Sequence, residues 1–500
     1  MRRELKRPGV AILALSLGLS SCAVGPNFKS PDPPKAESYT AESLPEQTAV
    51  TAVSGGEAQH FQLGRDLPGQ WWTLFGSSEL NTLVALAMTN YPDIAAQQAA
   101  LRQARDNVRA QLGVFAPQVQ AVFNQERAKI SGATIGPGFP GYVTNLYQAN
   151  VNVSYTLDVF GAERRQLEGL QAQVANQNFV LEASYLTLTS NVAATAIQLA
   201  SAREQILATH EIVAVEEKEL GIIQRQFELG THTRADVLQQ QSNLASVRAT
   251  LPGLEQQLAA AEHQLAVLTG QFPHDAVPVE LTLSDLTLPQ ELPISVPSAL
   301  IEQRPDIRQQ EALLHQASAA VGVATANLLP QITLSASAGD ESLLFSSLFK
   351  PGSGVWDVAS GITAPIFQGG TLRAKRRAAL DALDQAAAQY RLTVLNAFQN
   401  VADTLTALGH DAESLSAQSD ALGAAKASLD LIQRQYDAGA VNYVSLLTAQ
   451  QLYQQSRIDF VRATASRFTD TITLFQALGG GWWNRNDTGA LHASLWSMNR

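Results

Sequence analysis

A seven-residue apolar period that occurs twice constrains the fold of this chain most strongly. The first series runs from Tyr185 to Phe227, and the second runs from Val394 to Tyr436 at a constant offset of 209 positions. A strict period of seven is typical of helices that wind into a left-handed coiled coil. A helix from Phe160 to Phe227 would be about 100 Å long at a rise of about 1.5 Å per residue. Helices of this length argue against a set of ordinary compact domains.

The internal repeat extends beyond these long helices. Pro92-Asp93-Ile94 returns as Pro305-Asp306-Ile307, and Pro117-Gln118 returns as Pro330-Gln331, each 213 positions later. Proline is tolerated in the first turn of a helix and stops a helix that precedes it. Each repeat is therefore predicted to begin with a short helix between its two prolines and to continue with strands.

Strands are predicted where apolar and polar residues alternate, most clearly over the twelve positions from Tyr147 to Asp158. This length is near that of a tilted membrane-crossing strand, and tyrosines lie near both ends. Four strands cannot close a membrane barrel, which needs about eight or more, so the sequence predicts an oligomer. The predicted strands lie at about 118–128, 147–158, 331–339 and 355–366. The residues predicted to face lipid are Tyr147, Val151, Val153, Tyr155, Ile332 and Leu334.

Composition narrows the class of protein further. Hydrophobic residues make up 45% of the 500 positions, yet nothing after the first twenty residues resembles eighteen consecutive apolar residues. The sequence therefore excludes a helical membrane span, and a chain of this kind would cross a bilayer only as a barrel. The net charge of −11 argues against nucleic acid as a partner.

The N-terminus has the layout of a secretory signal peptide. Basic residues precede an apolar run from Val10 to Leu19, which ends at Ser20-Ser21-Cys22. This resembles the bacterial lipobox, whose cysteine is lipidated; an ordinary signal sequence with an incidental cysteine is the alternative. Cys22 is the only cysteine, which excludes internal disulfides. Ala23 follows in place of a retention aspartate, which favours the outer membrane.

Glycine turns end both long helices. Gly230 and Gly439 suit the left-handed position that closes a helix, and Thr233 and Asn442 suit the N-cap of the next one. The chain is thus predicted to form two helical hairpins, and Pro252 is predicted to bend the returning helix of the first. The predicted segments are a signal peptide at 1–21, a lipid-anchored tether and part of an equatorial belt at 22–76, a first repeat at 77–270 with its tip at about 228–233, an equatorial connection at 271–303 with a possible strand at 277–283, a second repeat at 304–479 with its tip at about 437–442, and a tail at 480–500.

Residues that would indicate catalysis are missing from the sequence. The eight histidines are scattered, and none pairs with another at metal-ligand spacing. No phosphate-binding glycine loop or nucleophile elbow is present either. We therefore predict no catalytic residue, no metal site, no cofactor and no enzymatic activity.

Taken together, these features resemble the TolC-like outer-membrane efflux proteins, in the lipoprotein branch (OprM/NodT-like) that serves resistance-nodulation-division pumps. The resemblance implies an α+β membrane protein whose trimer forms a twelve-stranded outer-membrane β-barrel, four strands per chain, continued by a periplasmic α-helical barrel. It also implies passive export of small molecules, with a periplasmic adaptor and an inner-membrane pump as partners. The motifs that carry it are Cys22, Val24-Gly25-Pro26-Asn27-Phe28, the paired Pro-Asp-Ile helices, Phe160-Gly161, Phe367-Gln368-Gly369-Gly370 and the two glycine turns.

The resemblance also assigns roles to the hairpins. The tips would meet the adaptor, and the start of the last helix would line a closed aperture. Related proteins often carry aspartates where this chain has Ser445 and Thr448, and some carry an arginine where it has Val441. The alternative is a lipid-anchored periplasmic coiled-coil scaffold or adaptor, against which the membrane-type strand alternation argues. The tip residues are Phe227, Gly230, Thr233, Tyr436, Gly439 and Asn442, and the aperture residues are Val441, Val444, Ser445 and Thr448.

Overall fold

A computed structural model describes residues 23–42, 44–134, 136–138, 140–275 and 278–485. Cys22, the signal peptide and most of the predicted tail lie outside these residues. The described part combines long α-helices with two separate sheets. In chain order its elements are β1 (His60–Leu63), α1 (Ser78–Asn90), α2 (Pro92–Leu112), β2 (Gln118–Ile130), β3 (Tyr142–Leu157), α3 (Ala162–Glu228), α4 (Arg234–Arg248), α5 (Leu251–Leu268), β4 (Glu291–Ile294), α6 (Leu300–Gln303), α7 (Pro305–Ala326), β5 (Gln331–Ser342), β6 (Gly354–Thr363), α8 (Thr371–Asp437) and α9 (Tyr443–Ala477).

The two long helices have equal lengths. Both α3 and α8 contain 67 residues, and their first and last residues keep the offset of the sequence repeat. The seam predicted from the heptads is buried along the middle of each helix, at Val192 and Leu199 in α3 and at Val401 and Leu408 in α8. Burial of such a stripe is the main source of stability for a helix of this kind.

The chain divides into two compact units, and the first contains residues 23–31, 100–177 and 309–391. Its centre is an antiparallel sheet of four strands in the order β2-β3-β5-β6. The strand register places Val151 opposite Ala121 and Ala338, and Tyr155 opposite Leu334. Because side chains alternate between the two faces of a strand, one face of the sheet is apolar. The opposite face carries polar residues, with Val122 as an exception opposite Asn150.

The strands differ in length from the sequence prediction. β3 begins at Tyr142, five residues before the predicted start, because its backbone continues to pair with β2 as far as Ile130. β6 ends at Thr363, before the predicted end at 366. Pro365 explains this early end, since proline has no N–H to donate to a strand ladder.

The second unit contains residues 32–99, 178–308 and 392–485 and has an aromatic core. Trp71 packs against Phe475 with ring centroids 5.6 Å apart, and Phe75 lies 6.3 Å from Phe468. The two phenylalanines Phe468 and Phe475 are fully buried and lie seven residues apart on α9. Fully buried Arg467, also on α9, donates to the Gln59 side chain at 3.0 Å. These contacts hold the segment before α1 against α9.

Two local predictions were wrong in this unit. The returning helix of the first hairpin is broken rather than bent: α4 ends at Arg248 and α5 begins at Leu251, because Pro252 has no N–H and its ring clashes with the preceding turn. The strand predicted at 277–283 is absent from its described residues, 278–283. The strand of this connection is β4 instead, which pairs in parallel with β1, the latter within the predicted tether.

Among the helices that the structure describes, none combines the length and the hydrophobicity of a transmembrane helix.

Candidate functional site

The two hairpin tips have the same backbone geometry. Gly230 N–H donates to the Phe227 carbonyl oxygen at 2.9 Å, and Gly439 N–H donates to the Tyr436 carbonyl oxygen at 2.9 Å. The two glycines have φ angles of +75° and +73°. A side chain is disfavoured in this left-handed conformation, so glycine lets the helix end abruptly and the chain reverse.

Each tip is followed by an N-cap that fixes the start of the next helix. The side chain of Thr233 accepts a hydrogen bond from the Asp236 N–H, and Asp236 accepts one in return from the Thr233 N–H at 2.8 Å. That backbone hydrogen bond is the main reason that the pKa of Asp236 lies below its usual value. In the second tip, the Asn442 side chain accepts from Ser445 N–H at 3.0 Å. Both turns are therefore held by local hydrogen bonds as well as by glycine.

A histidine joins the two tips. The hydroxyl of Tyr436, in the last turn of α8, lies 3.0 Å from Nε2 of His232, in the first tip. Nδ1 of the same imidazole lies 3.3 Å from an oxygen of Asp236. We call Tyr436, His232 and Asp236 the tip latch. Burial is the main cause that raises the pKa of Tyr436 above its usual value.

Next to the latch, a buried polar network joins three helices. The carboxylate of Glu216 on α3 is fully buried and accepts hydrogen bonds from Gln240 on α4 at 2.6 Å, from Asn243 at 2.8 Å and from Gln454 on α9 at 2.8 Å. The Tyr443 hydroxyl donates to the Gln240 side chain. Since an unpaired buried carboxylate is costly, this network favours one arrangement of the two hairpins.

A second carboxyl in this region titrates near neutral pH. Glu219 on α3 accepts a hydrogen bond from Gln450 on α9 at 2.5 Å. The pKa of Glu219 is raised to about 7, mainly by burial; the hydrogen bond from Gln450 lowers this pKa, and the nearby negative charges of Glu216 and Asp437 add to the increase. The contact between α3 and α9 therefore changes charge near physiological pH.

The predicted aperture residues lie on the first turns of α9 and its preceding loop. Val444 is 57% exposed, and Val441 and Ser445 are half-buried. The Thr448 hydroxyl donates to the Val444 carbonyl oxygen at 2.9 Å, and the Ser445 hydroxyl donates to the Asn442 side chain at 2.9 Å. The first charged residue of α9 is Arg457. The exposed surface of these turns is thus uncharged, and two of its hydroxyls are already engaged.

The six residues predicted to face lipid lie on one face of the sheet. Their register pairs Tyr155 with Leu334 and Leu157 with Ile332, while Val151 and Val153 follow on the same side of β3. Large apolar side chains on this face are exposed, including Val358, which is 74% exposed. Among the described residues of the first unit, Phe345 contacts this face at Phe123 and Tyr147, while Val151 and Val358 remain exposed.

Lipidation at Cys22 falls outside the described residues, but the segment that follows it is fixed. Arg165 on α3 is buried and donates to the Asn27 side chain at 2.6 Å and to the Val24 carbonyl oxygen at 3.2 Å. Its charge is balanced by Glu168 at 2.6 Å. Residues 24–27, at the start of the predicted lipid-anchored tether, are therefore docked on a helix.

The tip latch and the polar network were not predicted from the sequence. Glu216 could have been recognised, because it occupies a buried heptad stripe with Thr209 and Ile223. His232 gave no sequence signal, since its partner lies 204 positions away. Among the described residues, no group of three or more histidine, cysteine, aspartate or glutamate side chains could hold a metal ion.

Known proteins resemble this chain in both sequence and structure. The profile of the family described as "Outer membrane efflux protein" matches residues 83–271 and 296–480. The pyoverdine export outer membrane protein OpmQ of Pseudomonas aeruginosa is 32% identical over 422 residues, which cover 83% of this chain and 87% of the relative.

A second relative and a solved structure each match nearly the full length of this chain. The probable outer membrane lipoprotein SilC of Salmonella typhimurium is 28% identical over 482 residues, covering 96% of this chain and 99% of the relative. The solved structure of the outer-membrane channel OprN superimposes with a TM-score of 0.82 at 26% identity, covering 92% of this chain and all of that one. The chain therefore belongs to the outer membrane efflux protein family.

Proposed function

We propose that three copies of this outer-membrane efflux protein close a twelve-stranded β-barrel and form the exit duct of a tripartite efflux pump. The observation that carries the trimer is the four-stranded sheet of the first unit. Its outer strands, β2 and β6, each pair with one neighbour only among the described residues. All ten residues of β6 are exposed.

A sheet with free edges and uncovered faces needs partners. Free edges bind further strands, and closing a barrel removes edges altogether. Three sheets of four strands make twelve, which exceeds the minimum of about eight for a membrane barrel. In such a barrel the apolar face meets lipid and the polar face lines the lumen. This supports the duct over a periplasmic scaffold, because a soluble scaffold would expose the apolar face to water.

The anchor and the barrel would act together at the membrane. Lipidated Cys22 would lie two residues before Val24, whose carbonyl oxygen Arg165 holds. Acyl chains on that cysteine would insert into the bilayer beside the barrel. The Arg165 contacts support this proposal because they fix the chain close to the attachment point.

The hairpin tips are proposed to contact the adaptor. In the first tip, Phe227 is 40% exposed and Leu229 is 74% exposed. Exposed apolar side chains at the end of a helical hairpin are suited to packing against a partner hairpin. Gly230, Thr233, Gly439 and Asn442 would set the shape of the two tips, and Tyr436 would hold them together.

The aperture is proposed to be apolar and uncharged. In a trimer, Val441, Val444, Ser445 and Thr448 would recur three times around the axis, with no carboxylate to concentrate cations. Opening would require the hairpins to move apart, and the tip latch would have to break first. Energy for transport would come from the inner-membrane pump, since the chain itself would act passively.

Interchain cross-linking tests the trimer. We would combine Ala121→Cys on β2 with a cysteine at each position of the apolar face of β6, namely Trp356, Val358, Ser360 and Ile362. Barrel closure predicts that at least one pair forms disulfide-linked dimers and trimers in outer membranes. Ala149→Cys on β3 is the control, because β3 already has neighbours on both sides. A chain that stays monomeric with all four partners, and runs as a monomer by native mass spectrometry, would contradict the trimer.

A further inference from the structure

The loop between β5 and β6 exposes an unusual amount of apolar surface. Within the segment 343–349, Leu343 is 61% exposed, Leu344 and Phe345 are each 62% exposed, and Phe349 is 73% exposed. Exposed patches of large apolar side chains mark surfaces that contact a protein or a membrane.

The segment lies over the apolar face of the sheet. The ring of Phe345 meets the ring of Tyr147 edge to face at 5.6 Å and that of Phe123 at 6.4 Å. The register places Phe123 opposite Ala149, on the same face as Tyr147. The loop therefore continues the surface that the proposed barrel would present to lipid.

The conformation of the segment is fixed by local contacts. Leu348 is fully buried, and the N–H of Leu344 donates to the Ser342 hydroxyl at 3.2 Å. At the base of the loop, Ser353 donates its hydroxyl to Asp340 at 2.8 Å. The outward position of the apolar side chains is thus part of the folded loop.

The loop lies at one particular end of the sheet. β2 follows α2, β5 follows α7, β3 leads to α3 and β6 leads to α8, so the four α-helices joined to this sheet attach at the other end of the strands. If the helices are periplasmic, as the proposed function requires, the segment 343–349 lies at the outer leaflet. Exposed Lys350 follows it directly and is able to reach lipid phosphates from an apolar anchor.

We infer that the segment 343–349 is a membrane anchor, which inserts Leu343, Leu344, Phe345 and Phe349 among the acyl chains of the outer leaflet. This inference rests on the proposed barrel. The continuity of the segment with the apolar face of the sheet favours lipid over a second copy of the chain as its occupant.

Spin labels at single cysteines test the anchor in trimers reconstituted into lipid vesicles. Leu344→Cys and Phe349→Cys report on the segment, Val151→Cys reports on the sheet face, and Ala133→Cys reports on an exposed position between β2 and β3. The chain without an added cysteine corrects for any labelling of Cys22. Relaxation by oxygen, which concentrates in lipid, is compared with relaxation by a water-soluble nickel complex.

The anchor predicts that labels at 344 and 349 behave like the label at 151, with oxygen more effective than nickel, while the label at 133 shows the reverse. Labels at 344 and 349 that follow the one at 133, with 151 still in lipid, would overturn the anchor and leave the barrel standing. Low accessibility of both positions to both reagents would show that protein covers the segment and would also overturn it. Nickel-accessible labels at 151 as well would overturn the barrel itself.

Discussion

The tip latch gives the most quantitative prediction. Tyr436→Phe keeps the ring that packs near Tyr443, with centroids 5.9 Å apart, and removes only the hydroxyl that lies 3.0 Å from His232 Nε2. One partly buried hydrogen bond contributes about 1 kcal/mol to the closed arrangement. This is about fivefold in an opening equilibrium for one chain, given a tenfold change per about 1.4 kcal/mol. If three latches open together, the total is about 3 kcal/mol, or on the order of 100-fold.

Open probability in planar bilayers measures this effect. The Tyr436→Phe trimer is expected to spend between about fivefold and 100-fold more time in its high-conductance state than the parent. Tyr453→Phe is the matched control, because Tyr453 is half-buried like Tyr436 and lies on α9 outside the tip latch. Equal open probabilities for Tyr436→Phe, Tyr453→Phe and the parent would refute the latch.

Three further predictions concern the helices. In the folded protein the pKa of Glu219 is about 7, above its ordinary value of 4.5, so its contribution to stability is complete below pH 4.5 and is lost as the pH rises through 7. Glu219→Gln should therefore flatten the fall of Tm between pH 5 and pH 8. An unchanged pH profile would contradict this. Glu182→Ala removes the buried partner of Arg485, 2.7 Å away, and should cost about 3 kcal/mol of unfolding free energy; a denaturation midpoint equal to the parent's would show that the pair is not needed. Val444→Asp should make the open channel cation-selective by reversal potential, whereas unchanged selectivity would place Val444 outside the aperture.

Most of the fold follows from two periodicities. The heptads predicted two long helices, because an apolar seam that continues along such a helix is buried by packing against other helices. The structure has these helices as α3 and α8, with 67 residues each. The alternation from Tyr147 to Asp158 predicted the two faces of the sheet, since a strand shifted by one residue would exchange its faces. Both signals extend over many residues, which makes them recognisable in the sequence.

Short and long-range features were harder to predict. β1 and β4 contain four residues each, and Pro293 lies within β4, so neither has a recognisable alternation. The tip latch joins residues that are 204 positions apart, and its histidine occupies a turn with no period. Glu216 has the heptad spacing of its buried neighbours, which indicates burial, but a charged residue on a helix usually faces solvent. Only its three amide partners explain its burial.

The central claim is that three copies of this chain enclose a membrane-spanning duct. Single-channel recording of the purified, full-length protein in a planar bilayer tests it most directly, with the Tyr436→Phe variant included so that a closed aperture does not hide the pore. The account predicts discrete conductance steps from a species that native mass spectrometry identifies as a trimer. Trimers that insert into the bilayer yet give no conductance steps in either protein, or conductance from a species that is not a trimer, would contradict it.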